Sequence, residues 1–126
     1  MTPQPFSVDR KAPLKEAHAV MRKHRIRHLP VLDQGALVGV VTMRDLHLLE
    51  TIGDVDLDTT FVEEAMTQHP FVVTGDMPLD EALDIMTEHK YGSVIVMGRN
   101  GVEGIFTATD ACRVLAEILR RDGGMP

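Results

Sequence analysis

Leu79, Ala82, Leu83 and Met86 fall at i, i+3, i+4 and i+7, the spacing that lines one face of an α-helix with apolar side chains. Leu14, Ala17 and Met21 recur at helical spacing behind Pro13, and a proline suits a first helical position because its missing N–H has no intrahelical partner there. The first of these helices is predicted to follow a short apolar strand around Phe6 to Val8 and to end near His24. A hairpin comes next. It runs from His28 to Leu32, turns at Asp33-Gln34-Gly35 and returns from Leu37 to Val41; its echo runs from Ser93 to Met97, turns at Gly98-Arg99-Asn100-Gly101 and returns from Val102 to Phe106. A second helix follows each hairpin, from about Met43 to Ile52 and from about Ala108 to Arg121, and Val62 to Met66 adds a helical turn.

These parallels form one duplication. Shifting the chain by 65 residues lays Met1-Thr2, Pro5-Phe6, Val8, Pro13-Leu14 and Glu16-Ala17 on Met66-Thr67, Pro70-Phe71, Val73, Pro78-Leu79 and Glu81-Ala82. In the same register Met21, His24, Val31, Gly39, Thr42 and Asp45 meet Met86, His89, Val96, Gly104, Thr107 and Asp110, which makes 15 identities. A unit of about 60 residues buries too little surface to be stable alone, so the two copies are expected to share a core. The order strand, helix, strand, strand, helix, twice over, predicts an α+β fold of two three-stranded sheets with helices packed on them. The expected division is residues 1–60, ending in the acidic linker Gly53-Asp54-Val55-Asp56-Leu57-Asp58, and residues 61–126.

Composition narrows the class. Hydrophobic residues at 44% and charged residues at 25% suit a globular chain, and no apolar run reaches the roughly 18 residues that span a bilayer. Met1 to Pro5 lacks the charged and apolar regions of a signal peptide, and the single Cys112 supports no internal disulfide, so a cytoplasmic location is expected. Net charge is −6 but unevenly spread: residues 1–44 hold eight Lys or Arg against three acids, whereas residues 45–89 hold twelve acids and no Lys or Arg. The cluster Arg22, Lys23, Arg25 and Arg27 is therefore a candidate to surround an anion. Nucleic acid is not the expected anion, because the chain has no Trp and its acidic middle would repel a long phosphate backbone.

The segments Gly39-Val40-Val41-Thr42-Met43-Arg44-Asp45 and Gly104-Ile105-Phe106-Thr107-Ala108-Thr109-Asp110 stand where a strand runs into a helix. Unpaired N–H groups at a helix N-terminus suit a phosphate, a carboxylate can accept the hydroxyls of a ribose, and a strand glycine admits a close neighbour. The same Thr-x-x-Asp spacing also makes a helix-capping box with no ligand at all. His18, His24, His28 and His89 do not define one metal-binding face, and no metal site is expected; neither is a Ser/His/Asp order, a P-loop or a cysteine nucleophile readable.

Pro-Leu-x-Glu-Ala, then Arg27-His28-Leu29-Pro30-Val31-Leu32-Asp33, then Gly-x-x-Thr-x-x-Asp, with the second copy's Tyr91-Gly92-Ser93-Val94-Ile95-Val96, resembles the cystathionine-β-synthase (CBS) domain family, in the tandem pair known as a Bateman module. The resemblance spans nearly the whole chain and implies a stand-alone regulatory module rather than an enzyme. It implies pseudo-two-fold packing of two β-α-β-β-α units, clefts for adenosine-containing ligands such as AMP, ADP, ATP or S-adenosylmethionine, no obligatory cofactor, and frequent dimerisation. By position, Asp45 and Asp110 would hold ribose hydroxyls, and Thr42 and Thr107 would meet ribose or phosphate. Arg44, with Arg27 and His28, resembles the family's phosphate-contacting positions; Thr109, Gly92 and Ser93 are the second-copy equivalents, so the two sites are expected to differ. Adenine would rest on Val8, Pro30, Val73 and Ile95.

A sensor of this kind acts on a regulated protein by shifting a conformational population. The rival expectation is a ligand-free dimerisation module whose Thr-x-x-Asp motifs are only caps. Val114, Leu115, Ile118 and Leu119 on the last helix, with Leu46, Leu48 and Leu49 on its counterpart, are the expected homodimer surface.

Overall fold

The computed structural model describes residues 2–3, 6–53 and 55–123. The first unit contains strand β2 (Val8–Asp9), helix α1 (Leu14–His24), strands β3 (His28–Asp33) and β4 (Ala36–Thr42) and helix α2 (Met43–Ile52). A 3₁₀ turn, Val62–Glu64, leads into the second unit: β6 (Val72–Thr74), α3 (Leu79–His89), β7 (Ser93–Gly98), β8 (Gly101–Thr107) and α4 (Ala108–Arg121). Two further short strands, β1 (Thr2–Pro3) and β5 (Thr67–Gln68), complete the two sheets, β1 that of the second unit and β5 that of the first.

Each sheet has four strands where the sequence predicts three, in the orders β2-β3-β4-β5 and β1-β8-β7-β6. The fourth strand is exchanged. β1 pairs antiparallel with β8, Thr2 opposite Ile105, and β5 pairs antiparallel with β4, Thr67 opposite Val40. These two pairings are images of each other under the 65-residue shift, as are the parallel pairs Val8 with Val31 and Val73 with Val96. The repeat thus becomes a pseudo-two-fold axis. It also explains Gly39: a β-carbon there would stand 2.7 Å from the Thr67 carbonyl oxygen and 2.7 Å from the Met66 sulfur, so only glycine lets β5 approach.

Each unit encloses its own apolar cluster, built on Leu14, Met21, Leu29 and Leu46 in the first and on Val73, Met86, Val94 and Phe106 in the second. Between them Val40 of β4, Ile95 of β7 and Ile105 of β8 form a third cluster that joins the sheets. This is the shared core that the unit length demands.

The segment between the units is packed, not free. Val55 and Leu57 lie on the first core, Val62 is wholly buried in it, and the backbone amides of Leu14 and Lys15 donate to the carbonyls of Thr60 and Leu57. Asp54 of the acidic stretch lies outside the described residues. The cover is one-sided: Leu14 is wholly buried, whereas its counterpart Leu79 is 47% exposed.

Candidate functional site

Thr42 and Thr107 each take extended backbone angles at the end of a hairpin and begin a helix. In both, the threonine hydroxyl accepts the N–H of the aspartate three residues on at 3.1 Å, and the threonine N–H donates to that aspartate's Oδ2 at 2.9 Å. The reciprocal pair is a complete capping box in each unit. A cap uses one carboxylate oxygen and leaves the other. At Asp110 the remaining Oδ1 accepts from the Arg113 guanidinium at 2.9 Å; among the described residues no ion pair engages Asp45, whose helix carries Leu48 at the corresponding place. Burial raises the Asp110 pKa, but hydrogen bonding to Thr107 and the Arg113 guanidinium outweigh it and hold the carboxyl below the usual range.

Thr107 and Asp110 of one cap, and Thr42 but not Asp45 of the other, open onto two clefts related by the pseudo-two-fold axis. The first, about 420 Å³, is lined by Thr107, Thr109, Asp110 and Arg113 of the second unit and by Phe6, His24, Arg25, Ile26, Arg27 and His28 at the first unit's edge. The second, about 250 Å³, joins Val40, Thr42 and Thr67 to Phe71, Lys90, Tyr91, Gly92 and Ser93. Each cleft therefore draws a helix N-terminus from one unit and a wall from the other.

That reciprocity redistributes the sequence-predicted residues. Arg27 and His28 join Thr107, Thr109 and Asp110, while Gly92 and Ser93 join Thr42. Arg44 is exposed and lines neither cleft. Val8, Pro30, Val73 and Ile95 are all buried and none borders a cleft; Val8, Val73 and Ile95 are instead members of the apolar clusters. Apolar surface in the clefts comes instead from Phe6, Ile26 and Ile105 in one and from Val40, Phe71 and Tyr91 in the other. Phe6 stacks on His24 with ring centroids 3.6 Å apart, and Phe71 stacks on Tyr91 at 5.2 Å.

Two more cations border the clefts, Arg25, which the basic cluster of the sequence includes, and Lys90, which no sequence pattern marks. Both stand just past a helix in the left-handed region, with φ 55° and 60°, where glycine is the usual occupant. The next residue's amide turns back to the helix, Ile26 to the Met21 carbonyl and Tyr91 to the Met86 carbonyl. A cation held twice in a strained conformation at a cleft mouth is the signal, and it is visible only once the backbone is known.

Among the described residues no group of His, Cys, Asp and Glu is arranged to hold a metal ion, and no helix is long and apolar enough to cross a membrane.

The sequence model of the CBS domain matches residues 1–48 and 62–117, one match on each unit. The chain belongs to the CBS domain family. Its arrangement is that of a tandem CBS pair. The CBS domain-containing protein YhcV of Bacillus subtilis is 30% identical over 110 residues, covering 87% of this chain and 78% of YhcV. The CBS domain pair of protein MJ0100, solved in complex with 5′-methylthioadenosine and S-adenosyl-L-methionine, superposes with a TM-score of 0.82 at 27% identity, covering 94% of this chain and 93% of that one. CBSX2, solved in complex with AMP, superposes with a TM-score of 0.79 at 29% identity, covering 94% of both chains.

Proposed function

We propose that this CBS pair is a non-catalytic regulatory module that binds an adenosine-containing ligand in the clefts between its units, with the phosphate-bearing form, AMP, ADP or ATP, preferring the first cleft. The observation that carries the reading is that each cleft is built from both units, so a bound ligand bridges them and favours one relative arrangement. Arg25, Arg27 and Arg113 border the first cleft, whereas the second has Lys90 and no arginine among its lining residues. A guanidinium can clamp phosphate oxygens bidentately, which an ammonium cannot. The complexes of MJ0100 with adenosyl compounds and of CBSX2 with AMP support the ligand class. The module acts as a homodimer in this reading, and the dimer passes the ligand's preference to a regulated protein.

Calorimetric titration of ATP, AMP, S-adenosylmethionine and adenosine checks the proposal. Arg27→Ala is expected to weaken ATP on the order of 10-fold while sparing adenosine, with a loss that shrinks as salt rises. Asp110→Ala is expected to weaken all four. If none binds at millimolar concentration, the reading fails.

A second reading, a ligand-free dimerisation module, is favoured by one observation. Both aspartates already serve their caps, and Asp110 also holds Arg113. Under that reading all four compounds leave the calorimeter silent while the chain still dimerises.

A further inference from the structure

His28 borders both clefts. It opens β3 opposite Thr42 of its own sheet, and its Nε2 lies 3.6 Å from where a β-carbon on Gly92, a residue of the second cleft, would stand. Its pseudo-symmetric counterpart Ser93 borders the second cleft alone. One side chain therefore breaks the two-fold relation and reaches into both sites. A neutral imidazole carries one N–H donor and one acceptor nitrogen, while an anionic ligand in either cleft asks for the donor.

Resting on the reading of the clefts as anionic-ligand sites, we propose that His28 couples them: a ligand in one weakens binding in the other at neutral and alkaline pH, and the coupling fades once the imidazole carries a proton and donates from both nitrogens. Burial favours the neutral ring; Arg27 adds to that, and the carboxylates of Asp45 from α2 and Asp110 from α4 oppose it. The other charged or titratable side chains sharing the clefts with His28 are His24, Arg25 and Arg113 in the first and His69, Lys90 and Tyr91 in the second. As pH falls, an anion already bound draws a proton onto the ring, and competition for a single donor ends. The coupling is thus negative at pH 8 and weakens as pH falls through the range in which the imidazole takes up a proton, which burial sets below the usual one.

Thr109→Trp tests this by filling the first cleft from an exposed, neutral position on the first turn of α4. AMP is titrated into wild type, Thr109→Trp, His28→Ser and the double variant, and each cleft is read by NMR through its own amide, Thr107 or Thr42. Filling the first cleft is expected to tighten AMP at the Thr42 amide by about 5-fold or more at pH 8, within the usual range of coupling between sites. It is expected to do nothing in the His28→Ser background, and progressively less in wild type as the pH is lowered. His28→Gln, whose one amide nitrogen bears both its N–H donors and can face one cleft while its oxygen faces the other, cannot titrate and is expected to retain the coupling across that pH range.

The wild-type curves carry the same information without a plug, since uncoupled clefts give a single hyperbola at each amide. If Thr109→Trp leaves AMP affinity at the Thr42 amide unchanged at pH 8, or shifts it equally in the His28→Ser background, His28 does not couple the clefts and this inference alone falls. If neither amide responds to AMP in any variant, the ligand-binding reading falls and takes the coupling with it.

Discussion

Arg25 and Lys90 pose the sharpest question at the scale of single residues. Each adopts positive φ at a helix end, where an L residue gives up roughly 1 kcal/mol that glycine would not. Both side chains border clefts, which gives the strain a use. Arg25→Gly is therefore expected to raise unfolding stability by about 0.5–1 kcal/mol in urea denaturation and to weaken ATP several-fold in calorimetry. A variant that is stabilised but binds ATP as wild type does would remove Arg25 from the site. Asp110 and Asp45 show the same layering of roles: each capping box occupies one oxygen, and the other meets Arg113 in the first case and no ion-pair partner among the described residues in the second.

Among the elements, the exchanged strands tie the units together with backbone hydrogen bonds in addition to the apolar cluster of Val40, Ile95 and Ile105. Gly39→Ala would drive a β-carbon against the Thr67 carbonyl, which as backbone has little room to yield. The expected cost is about 1–3 kcal/mol, read as a lower denaturation midpoint. Gly75→Ala is the control: its β-carbon would meet Glu103 at 3.7 Å, an ordinary contact, and a change within about 0.5 kcal/mol is expected. Equal losses at the two positions would show that β5 does not depend on glycine for its approach. The helix pairs differ in cover too. The inter-unit segment shields α1 at Leu14, while α3 leaves Leu79 in solvent.

For the whole molecule, four of the nine large apolar side chains exposed among the described residues lie on α2 and α4. Leu48 is 60% exposed, Ile52 68%, Leu115 56% and Ile118 42%. Leu46, expected on that surface from its spacing, is instead wholly buried in the first core. Apolar side chains grouped on a pseudo-symmetric pair of helices suit a self-complementary two-fold interface. Light scattering at tens of micromolar protein is expected to report a particle of two 14.0 kDa chains. Leu115→Glu is expected to shift it towards one. A wild-type particle of one chain would exclude the homodimer.

Element order was legible in the sequence because helical and hairpin patterns are local: Leu79 to Met86 announced α3, and Ala108–Arg121 forms α4 over the predicted span. The 65-residue repeat likewise implied two equivalent units with a common core, since sixty residues cannot bury enough surface alone. Thr42, Asp45, Thr107 and Asp110 were marked as caps or ligands by their spacing, and the caps are formed. What lay beyond reach was which unit's residues meet which. Arg27 and His28 lie near Thr42 in the chain, yet Thr107 and Asp110 share the first cleft with them, because the pseudo-two-fold axis sets each helix N-terminus against the other unit's edge. The burial of Val8, Pro30, Val73 and Ile95 and the exchange of β1 and β5 were out of reach for a related reason. They depend on how two surfaces pack against each other, and periodicity along one chain specifies which face is apolar but not what that face will touch.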